Sequence, residues 1–310
     1  MPIYLPIAEL SVDLFFLIGI GAAIGFISGL FGVGGGFLMT PLLLFSGVPA
    51  AVAVASVTAQ VAASSTSGAI SYFRKGGIDF KLAAYLVGGG VGGSIAAIGV
   101  LALLRQWGQV DFFIAISYVV LLGFVGSSML FESVRSIIRA RRKDYVPTPK
   151  PQGSSWLQRL PLRTQFPRSK LYISVIPVIG IGFCVGILGA LLGLGGGFIL
   201  VPALVYLLRV PGNVVIGTSL VHLLVVMLVT CVLQAVTNQS VDILLAFCLM
   251  VGSVVGAQFG ASAGQTIKGE QLRALLALLI LLIATRFGFS LFTMPADPFT
   301  VTTIGFGETL

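Results

Sequence analysis

Two glycine runs, Gly34-Gly35-Gly36 and Gly195-Gly196-Gly197, are the first places in this 310-residue chain where residue type and spacing suggest chemistry. Glycine lets a backbone approach a bound group closely and takes positive φ at little steric cost. A phosphate loop needs Lys and then Ser or Thr after its last glycine, and a dinucleotide fingerprint needs a further glycine. Phe37 and Phe198 stand there instead, so neither motif is present. Each run precedes a short apolar stretch, 37–46 and 198–208. A helix opening at such a point aims its free N–H groups and positive dipole end at whatever precedes it, which suits an anion.

The segments that follow supply polar ligands. Ser56, Thr58 and Gln60 lie after the first run; Thr218, Ser219 and His222 lie after the second, with Gln60 aligned to His222. Hydroxyl and amide donors suit a small oxyanion whose charge the helix ends already offset. The candidate site is therefore Gly34, Gly35, Gly36, Phe37, Ser56, Thr58, Gln60, Gly195, Gly196, Gly197, Phe198, Thr218, Ser219 and His222. Ser64, Ser65, Thr66 and Ser67 read instead as hydroxyls bonded to their own helix. His222 is the only histidine and lies in an apolar run. An ionisable group inside a membrane points to function, and imidazole titrates near neutral pH, so His222 is a substrate or proton-coupling candidate. Asp79 and Asp242 sit at helix starts, where capping accounts for both. Cys184, Cys231 and Cys248 have no CxxC spacing and read as small buried side chains, so no metal, cofactor or catalytic residue is expected.

These residues need a frame, and composition indicates its kind. The chain is 57% hydrophobic and 9% charged, with 40 glycines; soluble domains carry about 25% charged residues. Apolar spans of the length a bilayer requires run over 12–33, 50–73, 82–104, 112–132, 173–194, 213–236, 242–264 and 272–292. The fold class expected is an all-α polytopic membrane protein with about eight full spans, plus two short re-entrant or broken segments at the glycine runs. No secretory signal peptide is read at the N-terminus.

The chain also repeats itself. Residues 32–41 (GVGGGFLMTP) align with 193–202 (GLGGGFILVP), Val48-Pro49 with Val210-Pro211, Asp79 with Asp242, and Gly89 and Gly93 with Gly252 and Gly256. The offset drifts only from 161 to 163. The domains expected are a first membrane repeat, 1–132, a basic Pro-rich linker, 133–172, and a second repeat, 173–310. Gly89, Gly93, Gly252, Gly256 and Gly260 follow four-residue spacing and read as helix contacts.

Ten of the 18 Lys and Arg residues fall in 133–172, so the net charge of +8 marks a cytoplasmic loop and not a nucleic-acid surface. Arg74, Lys75, Lys81, Arg209, Lys268 and Arg273 join that side, leaving Arg105 and Arg286 opposite. Both termini come out extracytoplasmic and the two halves inverted, a construction suited to alternating access.

The doubled Gly-x-Gly-Gly-Gly-Phe run with its Pro, together with Gly217-Thr218-Ser219-Leu220, resembles the TauE/SafE sulfite-exporter family of permeases. The resemblance covers nearly the whole chain outside the central loop. It implies an inner-membrane transporter of sulfite, sulfonates or related organosulfur anions. The first half departs from the pattern, with Ala55-Ser56-Val57-Thr58 where Ala/Gly-Thr-Ser-Leu would stand. The function expected is secondary transport of a small anion. A passive anion channel is the alternative, and an embedded enzyme a more distant one. The partners expected are the anion, a proton as candidate coupling ion and the lipid bilayer, with homo-oligomers left open and nucleic acid excluded.

Overall fold

The computed structural model describes residues 2–31, 34–74, 76–106, 108, 110–141, 163–166, 168–169, 171–208, 210–264 and 269–292. Every long apolar stretch forms a helix within it. The first half holds α1 (Leu14–Phe31), α2 (Gly36–Phe45), α3 (Ala50–Arg74), α4 (Phe80–Gln106) and α5 (Val110–Arg141). The second holds α6 (Val175–Leu192), α7 (Gly197–Pro202), α8 (Gly212–Leu233), α9 (Ile243–Gly264) and α10 (Gly269–Phe292). Pro202 ends the regular bonding of α7, and Ala203–Leu207 continue as one π-helical turn. A second π turn, Gln234–Asn238, extends α8. Among the described residues four segments are long and apolar enough to cross a membrane: Phe80–Gln106, Val175–Leu192, Val214–Asn238 and Ile243–Gly260. Phe124, Phe131, Phe259 and Phe289 are exposed on outer helix faces, as a lipid-facing surface requires.

The glycines explain how thin helices come together. Helix α1 lies on α9, and α6 lies on α4. A methyl at Gly93 would come 2.1 Å from the Phe183 carbonyl oxygen, and one at Gly256 would come 2.0 Å from that of Ala22. Gly25 and Gly186 answer from the other side, at 2.3 Å from the Ser253 oxygen and 2.2 Å from the Gly90 oxygen. Hydrocarbon gives helices no hydrophobic reason to associate, so backbone-to-backbone contact of this kind supplies the cohesion. Gly89, Gly252 and Gly260 belong to the same seams, as their spacing suggests.

Two features differ from the sequence reading. Helix α5 runs to Arg141, nine residues into the segment read as linker. The second feature is a pair of β-hairpins. β1 (Pro2–Leu5) pairs with β2 (Leu10–Asp13), and β3 (Arg163–Phe166) pairs with β4 (Leu171–Ser174), both antiparallel. Pro2, Asp13 and Leu14 each have their structural counterpart 161 residues later, in Arg163, Ser174 and Val175. Thus β3 and β4 lie within the stretch read as solvated linker. The rest of that stretch (142–162), Gly32, Val33, Lys75, Arg209, Lys268 and both chain ends lie outside the described residues.

Each hairpin reaches into the other half. Asp242 opens α9 by accepting from Leu244 N and Leu245 N at 3.1 Å each, while its Oδ2 accepts from Ile7 N in the first hairpin at 3.1 Å. Asp79 opens α4 by accepting from Leu82 N at 3.2 Å, while its Oδ2 accepts from Ser169 N and Oγ in the second hairpin at 3.0 and 2.8 Å. Both carboxylates act as helix caps, each worth about 1 kcal/mol.

Candidate functional site

The two glycine runs leave the helical path as expected. Gly34 and Gly35 have φ of 89° and 67°, and Gly195 and Gly196 have 70° and 75°. Only glycine holds these left-handed conformations in succession without strain. Gly35 and Gly196 then cap α2 and α7 without any side-chain bond. Leu38 N and Met39 N donate to the Gly35 oxygen at 3.1 and 3.2 Å. Ile199 N and Leu200 N donate to the Gly196 oxygen at 3.0 and 2.8 Å.

The breaks meet each other. Phe37 and Phe198 lie with ring centroids 5.5 Å apart, and a methyl at Gly36 would stand 2.5 Å from the Gly193 oxygen. Val61 of α3 and Leu223 of α8 fill the space between, since both would touch a side chain at either Gly34 or Gly195. Helices α3 and α8 thus pass the paired breaks at corresponding positions, one residue beyond Gln60 and His222.

Gln60, Ser65 and His222 are completely buried. Gln60 Oε1 and Nε2, Ser65 Oγ and both ring nitrogens of His222 have no hydrogen-bond partner. Ser65 lies one turn beyond Val61, with its Oγ 4.0 Å from the Cβ position of Gly34. The His222 ring fits against Gly90 of α4, where a methyl would come 2.5 Å from Cε1, and the Leu86 carbonyl is the polar group beside it. An unsatisfied buried donor or acceptor costs about 1–3 kcal/mol. Five such atoms lie on α3 and α8, the two helices whose Val61 and Leu223 pack against the breaks, and no bond within the fold satisfies them.

The other expected ligands are engaged elsewhere. Ser56 Oγ accepts from Asp242 N at 3.1 Å and Thr218 Oγ1 accepts from Asp79 N at 3.2 Å, so each supports the helix opened by the opposite half. Thr58 Oγ1 donates to the Ala55 oxygen at 2.6 Å and Ser219 Oγ to the Ile216 oxygen at 2.9 Å, within their own helices. Two residues at the breaks had not been singled out. Thr40 Oγ1 lies 3.0 Å from the Cβ position of Gly193 and stands beside the Tyr118 hydroxyl, which donates to the Leu192 carbonyl. Thr40 could be found as the hydroxyl that aligns with Val201; Tyr118 carries no sequence signal. Ser65 was grouped with its neighbours, of which Ser64 and Thr66 do bond their own helix, to the Val61 and Ala62 oxygens. Among the described residues no group of three His, Cys, Asp or Glu side chains could hold a metal ion.

Residues 17–287 match the family model described as sulfite exporter TauE/SafE, and the chain belongs to that family. It is 28% identical over 268 residues to the probable membrane transporter protein YjnA of Bacillus subtilis, covering 86% of this chain and 96% of that protein. It is 23% identical over 276 residues to the probable membrane transporter protein YunE of the same organism, covering 86% and 94%. The sulfite exporter TauE/SafE family protein 3 of Arabidopsis thaliana matches over 117 residues at 34% identity, covering 38% of this chain and 23% of that protein. No solved structure matches. Family and apolar helices together make this a multi-pass membrane protein.

Proposed function

We propose that the protein is a secondary transporter that carries a small oxyanion, sulfite or an organosulfonate, across the inner membrane by alternating access. The observation that carries this reading is the set of unpartnered buried atoms on Gln60, Ser65 and His222, on the two helices that pack against the paired breaks. An oxyanion offers several acceptor oxygens to the amide and hydroxyl donors, while the positive ends of α2 and α7 offset part of its charge. Discontinuous helices meeting near the midplane are the usual place for such a site in transporters built from inverted repeats. The family and its relatives named as probable membrane transporters support the transport class. The organosulfur preference rests on the family's name and on the printed name of the plant relative.

The same reading treats 1–132 and 173–310 as inverted halves joined by 133–172 on the cytoplasmic side, with both termini outside. The crosswise contacts, in which each hairpin and each cap serves the other half, support an exchange of roles between halves. Labelling of cysteines engineered at residues 2 and 150 tests the sides: the first should react from outside and the second only after permeabilisation, and the reverse pattern contradicts the topology. Transport is tested by radiolabelled sulfite uptake into proteoliposomes. Saturable uptake competed by methanesulfonate is expected, and non-saturating flux would favour a channel. Ser65→Ala should weaken apparent affinity about ten-fold, the loss of one bond to a charged group.

A further inference from the structure

We propose that the anion is taken up together with one proton, held on His222, so that a monoanion crosses without net charge. This rests on the anion-transport reading above and adds its coupling ion and stoichiometry. The His222 ring is fully buried, neither nitrogen has a hydrogen-bond partner, and Gly90 closes one face of it.

Among the described residues no charge of opposite sign meets the ring from the helices around it. Helix α3, which packs on α8, carries the neutral Gln60 and Ser65 in its buried part, with Tyr72 and Arg74 at its far end. On α4 they are Gly90 and the Leu86 carbonyl; Lys81 and Arg105 lie at its two ends, and Tyr85 turns its ring onto Phe166. Helix α6 contributes only Cys184, which is exposed, and α7 contributes no titratable side chain. Cys231 lies nine residues further along α8 itself. Asp79 is the described acid tied to α8, its amide bonding Thr218 one turn before His222. Its carboxylate is already held by Leu82 N, Ser169 N and Ser169 Oγ.

A buried cation without a counter-ion is heavily penalised, and so is a buried anion that meets only neutral groups. Imidazolium and oxyanion remove each other's penalty when they arrive together, so each raises the occupancy of the other by the same factor. The proton enters on an imidazole nitrogen, travels with the anion and leaves to water on the far side. The corresponding position in the first half is Gln60, which donates without charging, and this fixes the stoichiometry at one proton.

The test uses the full-length protein in proteoliposomes, with radiolabelled methanesulfonate as probe because it stays a monoanion at every pH used. An inside-alkaline pH gradient should drive accumulation at least five-fold above equilibration, while a potassium–valinomycin potential of either sign leaves the initial rate unchanged. His222→Gln, checked for monodispersity in detergent, should lose the response to the pH gradient. Wild-type flux that follows the potential and ignores the pH gradient would overturn the proposal, as would gradient-driven accumulation by His222→Gln. If methanesulfonate, sulfite and sulfate all fail to move through the wild type, the anion-transport reading falls, and the coupling with it.

Discussion

Helices α3 and α8 hold corresponding places in the two halves and are equipped differently. At four-residue intervals α3 presents Gln60, Ser64, Gly68 and Tyr72, whereas α8 presents His222, Val226, Thr230 and, in its π turn, Gln234. Of the buried hydroxyls of α3, Thr58 and Ser64 turn back on their own backbone, Ser64 onto Val61 at 3.1 Å. Beyond His222, the polar side chains of α8 and its π turn reach neighbouring helices. Thr230 Oγ1 donates to the Val226 oxygen of its own helix at 2.7 Å and accepts from Ser94 Oγ of α4 at 3.0 Å, and Gln234 Nε2 donates to the Ala190 oxygen of α6 at 3.4 Å. Beyond them Asn238 Nδ2 donates to Gln234 Oε1 at 2.8 Å, and Arg105 donates to the Asn238 oxygen at 2.8 Å and to Ser240 Oγ at 3.1 Å. The duplicated parts are therefore the backbone devices: hairpin, carboxylate cap, glycine break and helix seam. The polar content has diverged: α8 is tied to α4 and α6 by side chains, whereas the outward side-chain bond of α3 among the described residues is Ser56 Oγ accepting from Asp242 N. In a rocking motion, α3 is the helix with fewer directional bonds to break.

The largest expected effect falls on what the halves share. Gly93→Val and Gly256→Val should each prevent a folded, monodisperse protein, since both place side chains on a facing backbone; losses above about 4 kcal/mol belong to this class. Gly99, with nothing within 4 Å of its Cβ position, is the control, and Gly99→Val should behave as wild type in size-exclusion chromatography. A marked difference between the two seam variants would show that the halves are not equivalent in framework. Next come the caps. Asp79→Ala and Asp242→Ala each remove three accepted bonds and should lower stability by similar amounts, about 2–4 kcal/mol, read as urea or thermal unfolding in detergent. Unequal losses would mean that one hairpin contact carries more than its mirror. Smallest is the divergent part: Thr230→Val should cost about 1 kcal/mol by breaking the tie to Ser94. Ser64→Ala, whose hydroxyl bonds only its own helix, should stay within about 0.5 kcal/mol of wild type.

Much of this frame was legible in the residues. Hydropathy placed the long helices to within a few residues except at the end of α5, which runs nine residues past the span read for it, and the glycine runs placed both breaks together with the short helices that follow. The hairpins were not legible, because Ile3-Tyr4-Leu5 is too short to show a strand period and 163–174 lies among prolines and charges. They become recognisable only from their common offset. The roles of Ser56 and Thr218 depend on partners 186 and 139 residues away, which spacing along one helix cannot reveal. Ser65 differs from Ser64 by the roughly 100° that separates neighbours on a helix. Only the packing of α3 shows which of the two faces Gly34.

The central claim is that Gln60, Ser65 and His222 are left unpartnered for an anion, and Gln60→Leu tests it most directly. The replacement is apolar and of similar volume, so it removes two unsatisfied buried atoms without opening a cavity. Radiolabelled sulfite flux in proteoliposomes and the melting temperature in detergent should be measured on the same preparations. The expected result is a flux at least ten-fold below wild type with a melting temperature equal or higher, because a buried unsatisfied group has been relieved. Wild-type flux in Gln60→Leu, or a melting temperature lowered by several degrees, would show that the amide serves the fold and not the anion.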